Sequence, residues 1–266
     1  CILWLFLFCF LYADESPDIG DLQIFPKDNP WHWDISNYSV HPRSDDYVAS
    51  IGRKTNLWPD FGKTRGIPYL VVNKKQEKKQ ISFSLSTCSE AGPYPIPLDA
   101  PVEDSPDRHV IVIDKDNRML YELFNATLGI NNWMAASGAV FNLDSNNLRR
   151  EDCMSADQSG LPIFPGLVRY EEVNKGEINH ALRMNVERVQ KQYIWPARWT
   201  DSKSTDSKLP PMGLRLRLKK DYDISKFPKT AMVILSALKK YGVYVADYGF
   251  SWNISGAPDE RWNEKA

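Results

Sequence analysis

The sequence predicts a mainly β protein, a β-sandwich or jelly-roll-like domain with a few helices, with an α+β arrangement as the alternative. Three observations carry the prediction. Short strand-like apolar runs recur along the chain, the segments joining them are rich in proline, and a single long stretch has a clear helical stripe. A length of 266 residues with 42% apolar and 25% charged side chains fits one large domain with a sizeable core.

Residues 1–13 (CILWLFLFCFLYA) form a continuous apolar run followed by Asp14 and Glu15. The run is too short to span a bilayer and reads as a secretory signal peptide cut after Ala13, leaving 14–266 as a single β-rich domain. No second run of spanning length follows, so a secreted, extracellular protein without a stable membrane anchor is expected. Secretion removes Cys1 and Cys9 with the signal. Cys88 and Cys153 then predict one disulfide, worth on the order of 4 kcal/mol for a loop of that length. Asn37, Asn125 and Asn253 each open an N-glycosylation sequon.

After an extended segment rich in proline, aspartate and tryptophan (14–33), residues 44–51 (SDDYVASI) open with a capping serine and an acidic turn, predicting a short helix. Strands are expected at 68–73, 80–85, 109–114 and 119–124, the last two joined by the polar hairpin loop DKDNR. Residues 92–106 form a long proline-rich loop, a kind of segment that often borders a site. Residues 133–141 add one or two strands broken at Gly138, and 167–173 a short helix ending near Gly176. Three strands follow at 178–184, 192–195 and 214–218. Residues 229–241 form the long helix, with Ala231, Ile234, Leu235 and Leu238 as its stripe, Asp223 or Ser225 as cap and Gly242 as stop. Final strands are expected at 243–246 and 252–254.

Chemistry concentrates between Gly176 and Leu218, in GEINHALR, YIWPARW and LPPMGLRLRL. Strand parity over 178–184 places Ile178, His180, Leu182 and Met184 on one face and Asn179, Ala181 and Arg183 on the other. His180 is the candidate proton-transfer residue, with Glu177 or Asp157 as its carboxylate partner and Tyr193 as a second proton-moving group. Arg183 and Arg198 are candidate anion clamps, and Trp195 and Asn179 candidate substrate contacts. Arg215 and Arg217 read as a solvated charged face. The Asp107-Arg108-His109 run reads as a structural ion pair at a strand start. Such a set suits acidic sugars, because arginine neutralises a uronate carboxylate while histidine or tyrosine moves the adjacent proton. The expected function is action on extracellular carbohydrate as a polysaccharide lyase or a glycoside hydrolase. The hydrolase would draw its two carboxylates from Glu177, Asp157, Asp107 and Glu122. The alternative is a non-catalytic carbohydrate- or matrix-binding protein, and in both readings the partner is a polysaccharide or glycan.

Net charge of −1 argues against nucleic acid and anionic membranes as partners. The chain has no HExxH, P-loop, GxSxG or GxGxxG motif and no clustered Cys/His spacing, so no metal and no cofactor are expected.

The stretches FPKDNPWHWDIS (25–36), DRHVIVID (107–114), SADQSGLPIFPGLVRYEEV (155–173), GEINHALR (176–183), YIWPARW (193–199), PPMGLRLRLK (210–219) and SGAPDERW (255–262) resemble a family of secreted, largely uncharacterised, mainly bacterial proteins. The resemblance spans nearly the whole chain after residue 13 and implies no particular activity. His32 and Trp199 stand where the resembled sequences have Asn and His, which argues against a shared catalytic histidine at position 199. The resemblance also implies a longer natural C-terminus.

Overall fold

The computed structural model describes residues 15–263, so the expected signal segment lies outside the described residues. Strand exceeds helix, 21% to 14%, and the described strands form no closed barrel. The protein is therefore mainly β with a few helices.

The elements run α1 (Ser44–Ile51), β1 (Trp58–Asp60), β2 (Tyr69–Val72), β3 (Ser82–Phe83), β4 (Val110–Asp114), β5 (Met119–Phe124), β6 (Thr127–Leu128), β7 (Trp133–Ala135), β8 (Ser137–Asn142), α2 (Tyr170–Lys175), β9 (Leu182–Val186), β10 (Arg215–Leu216), α3 (Lys229–Lys240), β11 (Val243–Tyr248) and β12 (Asn253–Ser255). They build a five-stranded mixed sheet in the order β1-β12-β9-β11-β10 and a four-stranded sheet in the order β2-β4-β5-β8. A small sheet, β3-β7-β6, completes the set.

Strand β4 shows why the two larger sheets stay together. Its sequence, VIVID, is buried throughout, and alternate residues serve different cores. Ile111 and Ile113 join Leu182, Met184, Val243 and Val245 of the five-stranded sheet in one cluster. Val110 and Val112 turn to Tyr94, Ile96 and Trp133 on the other side. The four-stranded sheet is thus apolar on both faces, and the proline-rich loop 92–106 covers its outer one. The hairpin between β4 and β5 forms over residues 114–118 as the sequence predicts. Its Asp114 carboxylate accepts from the Asn117 backbone and side-chain nitrogens.

Helix α3 packs Ala237 and Leu238 into the main core and stops at Gly242 (φ +72). A Cβ there would meet the Leu216 carbonyl oxygen at 2.2 Å, so that position requires glycine. Cys88 and Cys153 are bonded, closing a span of 65 residues.

Several local expectations are corrected. The strand expected at 178–184 pairs only from Leu182, because residues 176–181 form a loop whose Ala181 N–H donates to the Trp31 carbonyl. The strand expected at 192–195 reduces to an isolated bridge between Tyr193 and Met212, with Pro196 ending any further pairing. That expected at 214–218 shrinks to β10, since the Leu218 N–H donates to Leu238 of α3. Helix α2 starts at Tyr170, not Leu167, because the Val168 N–H donates to Ser255 and its carbonyl accepts from Ala257. Ser44 is the first helical residue of α1, so the N-cap position falls to Arg43, whose side chain makes no cap hydrogen bond. Neither Asp223 nor Ser225 caps α3, which follows Pro228 directly. Strands β1 and β6 have no counterpart in the sequence reading.

Candidate functional site

The polar side chains singled out in the sequence separate into two constellations. The first surrounds Arg183 in β9, the central strand of the five-stranded sheet. Arg183 Nε donates to Asp157 Oδ2 at 3.0 Å, Nη1 to Ser255 Oγ of β12 at 2.6 Å, and Nη2 to Asp247 Oδ2 of β11 at 3.4 Å. Arg183 is 2% exposed and Asp157 is fully buried. Burial opposes the charge on Arg183, yet Asp157 and Asp247 outweigh it and push its pKa up. Burial first, and then the neighbouring Asp157 carboxylate, raise the Asp247 carboxyl well above the ordinary range. One guanidinium thus serves two carboxylates, and Asp157 Oδ1 has no hydrogen-bond partner among the described residues.

Two further buried groups flank this network. Glu122, fully buried in β5, accepts from the backbone nitrogens of Ile163 and Phe164 at 2.8–2.9 Å. Burial nevertheless pushes its pKa up to about 7, with Asp157 adding to the rise. His109 meets Glu103 at 2.5 Å and the Ala156 carbonyl at 3.1 Å. Burial works against its charge, but Glu103 outweighs burial and raises its pKa. The ion pair at this strand start therefore joins His109 to Glu103.

The second constellation borders a cavity of about 250 Å³. Helix α2 carries Glu171 and Glu172 in its first turn and Lys175 in its last, a charge order that suits the helix dipole. At Gly176 (φ +88) the chain leaves the helix through a left-handed turn, and the loop up to Ala181 folds back over the first turn. That return brings His180 against Glu172. His180 Nε2 lies 3.2 Å from Glu172 Oε2 and 3.3 Å from Arg169 Nη2, while Nδ1 lies 2.8 Å from the Ala181 carbonyl oxygen. Arg169 Nη2 donates to Glu172 Oε1 at 2.6 Å and Nη1 to the Phe164 carbonyl. Burial acts to raise the Glu172 carboxyl, but Arg169 and His180 together outweigh it and hold it below the ordinary range. The cavity wall is completed by Glu177, Asn179, His32, Tyr69 and the segment Asp18–Ile24. Tyr69 donates to the Pro17 carbonyl at 2.6 Å.

His180, Glu177 and Asn179 therefore share one cavity, while the other expected site residues lie elsewhere. The strand parity that set Asn179 beside Arg183 fails because 176–181 is a loop. Asp157 is not the partner of His180, being committed to Arg183, and Arg183 is a core residue whose anions belong to the chain itself. The carboxylate at His180 is Glu172, not Glu177. Tyr193 donates to Asp152 Oδ1 at 3.0 Å, and Arg198 donates to the Arg149 carbonyl and pairs with Glu151. Trp195 stacks on Trp33 with ring centroids 5.2 Å apart, and both rings are exposed. Arg215 is no solvated charge, since it donates to the carbonyls of Pro30, Trp33 and Tyr241. Of the sequons, Asn37 and Asn125 are exposed, whereas Asn253 is buried in β12 and unsuited to glycosylation.

Arg169 and Glu172 are functional candidates that the structure adds to those expected from the sequence. The motif RYEEV offered a signal: an arginine three residues before a glutamate, at a helix start, matches the i,i+3 spacing of a helical ion pair. The described residues contain no group of three or more His, Cys, Asp or Glu side chains able to hold a metal ion. No family model, curated protein or solved structure matches the chain.

Proposed function

We propose that this protein acts on extracellular carbohydrate at the His180 cavity, with His180 as the proton-transfer group and Glu172 as the carboxylate that accepts the Nε2–H bond once the ring has taken up a proton. The observation that carries the reading is the approach of His180 Nε2 to both Glu172 and Arg169 on the wall of a cavity roomy enough for a sugar residue. With Nδ1–H donated to the Ala181 carbonyl, the Nε2 lone pair is the basic site of the ring. A carboxylate and a guanidinium both lie within reach of that nitrogen, at 3.2 and 3.3 Å.

On a uronate-containing chain the reaction class is β-elimination. Nε2 takes the proton from the carbon next to the sugar carboxylate, the electron pair forms a carbon–carbon double bond, and the glycosidic C–O bond breaks. The leaving oxygen then takes a proton from the His180 imidazolium or from water, and the ring returns to its neutral form. Arg169 is 4% exposed and both its Nη atoms are already engaged, by Phe164 and by Glu172 and His180, so it positions the dyad instead of clamping substrate. Lys175 on the cavity wall supplies positive charge toward a uronate carboxylate.

That same engagement of Arg169 favours a second reading, a non-catalytic glycan-binding protein in which the ion triad only shapes the cavity. A screen of uronate and neutral polysaccharides separates the two. An unsaturated product detected by ultraviolet absorbance with wild type, and lost in His180→Ala and His180→Gln, supports the enzyme. Binding without product from any polymer, unchanged in both variants, sinks it.

A further inference from the structure

Positive charge is distributed unevenly over the chain. Between residues 217 and 240 seven lysines and arginines face two aspartates, in a protein whose formal charge is −1. The fold brings Arg217, Lys220, Lys239 and Lys240 of this set together. Arg217, just past β10, donates to the Tyr38 carbonyl at 3.1 Å, and Lys220 Nζ donates to Asn37 Oδ1 at 3.0 Å. Lys239 in the last turn of α3 reaches the carbonyls of Lys220 and Tyr222, which fixes the loop 219–222 against the helix end. Its neighbour Lys240 is exposed over the Tyr241 ring at 4.9 Å. Lys220 and Lys240 both lie near enough to Asp34 to act on its carboxylate.

This face adjoins the cavity. Lys240 acts electrostatically on Glu177, which lines it, and Tyr241 OH donates to Asn179 Oδ1, another lining residue, at 3.2 Å. Tyr38 and Tyr222, 58% and 46% exposed, stand among the cations as platforms for the apolar face of a sugar.

From this arrangement we infer that the face made by residues 34–38, β10, the loop 219–222 and the C-terminal turn of α3 is a docking surface for a linear polyanionic polysaccharide. The inference rests on the carbohydrate reading of the cavity for the identity of its occupant, and it adds that the polymer is acidic. A chain with a carboxylate on successive sugars can meet the exposed Lys219, Lys220 and Lys240 together, and releases counterions on binding. The disulfide favours a polysaccharide over nucleic acid or the cytoplasmic face of a membrane, because it marks a protein suited to an oxidising compartment.

The test is equilibrium binding of the full chain to alginate, a polyuronate, with uncharged dextran, duplex DNA and phosphatidylserine vesicles as comparators. Wild type is expected to bind alginate with an affinity that falls steeply with salt, and dextran weakly or not at all. The variant K219Q/K220Q/K240Q is expected to lose about tenfold or more, as removal of three charges facing an anionic polymer predicts. Thermal unfolding of the variant checks that its fold is retained, since these exposed positions leave Lys239 in place. Unchanged alginate affinity in a folded variant overturns the inference, as does tighter binding to DNA or vesicles than to alginate. Failure of the cavity reading looks different. If no polymer is cleaved but the triple variant still loses alginate, the docking surface stands and the enzyme falls. If cleavage occurs and the triple variant binds unchanged, the reverse holds.

Discussion

Arg183 and Arg169 are both buried guanidiniums held by carboxylates, yet the chain uses them differently. Arg183 gathers partners from distant places: Asp157 on a loop, Asp247 on β11 and Ser255 on β12. Arg169 finds its carboxylate three residues away and shares it with His180 on a cavity wall. The first arrangement spans three strands of one sheet and ties the buried segment 155–169 to them. The second needs one helical turn and one loop, and leaves Glu172, His180 and Glu177 facing space. The same segment carries Asp157 at one end and Arg169 at the other, so the locked region sets the position of the open one. Long-range ion pairs here act as fold locks, and the local pair is the one available for chemistry.

Removing Arg183 gives the largest expected effect. Arg183→Ala leaves Asp157 and Asp247 uncompensated inside the protein, and breaking a buried pair in this way costs about 3–5 kcal/mol. Chemical denaturation measures it. A loss below about 1 kcal/mol would show that water reaches the carboxylates and that the lock is looser than its burial implies. Cys88→Ser with Cys153→Ser comes next. The bond closes a span of 65 residues just before the segment 155–169, and its loss is expected to cost about 4 kcal/mol in the loop-entropy account. If the segment relays position from lock to cavity, the double variant also loosens the His180 region, read as faster amide exchange at residues 169–181.

Acidity separates the two regions by sign. Glu122 titrates at about 7 in the folded protein against an ordinary 4.5, so the folded state binds the extra proton between those values. Its contribution to stability is therefore fullest below about 4.5 and declines as pH rises toward 7, by roughly 3 kcal/mol for a shift of that size. Glu122→Gln keeps an oxygen for the Ile163 and Phe164 nitrogens and removes the titration, so the variant gains on wild type across that window. Parallel stability profiles for the two proteins would show that Glu122 does not hold the proton. Glu172 runs the other way. Its pKa is depressed, so its stabilising effect is present above the ordinary carboxylate range and is lost as pH falls through its folded value.

How much of this is legible in the sequence follows from the range of the interactions. Strands β4 and β5 and helix α3 match their patterns because period and turn chemistry are local: VIVID, DKDNR and the stripe ending at Gly242 are each self-contained signals. The stretch 176–218 misleads because its apolar runs imitate strands. Its backbone partners are Trp31, Leu238 and Met212, none of which its own period encodes. His180 stands out by residue type, but its partner Glu172 precedes a glycine turn whose direction sequence parity does not follow. Arg183 reads as an anion clamp for the same reason. An arginine flanked by apolar residues demands an anion, and nothing local says that Asp157, 26 residues earlier, already supplies one.

Glu177→Gln is the mildest change and the sharpest probe of the open region. Glu177 is exposed at the cavity rim, its backbone N–H is held by the Glu172 carbonyl, and its side chain makes no hydrogen bond among the described residues. Stability should therefore move by less than about 0.5 kcal/mol, as at any exposed site away from special geometry. Removing the charge takes away one of the two carboxylates that act on Lys240, Asp34 being the other, and makes the cavity mouth less negative. Alginate affinity should then rise modestly, more at low salt than at high, while dextran binding stays flat. An affinity that falls instead would mean that Glu177 touches the polymer directly, returning it to the catalytic or binding role that its position in the sequence first suggested.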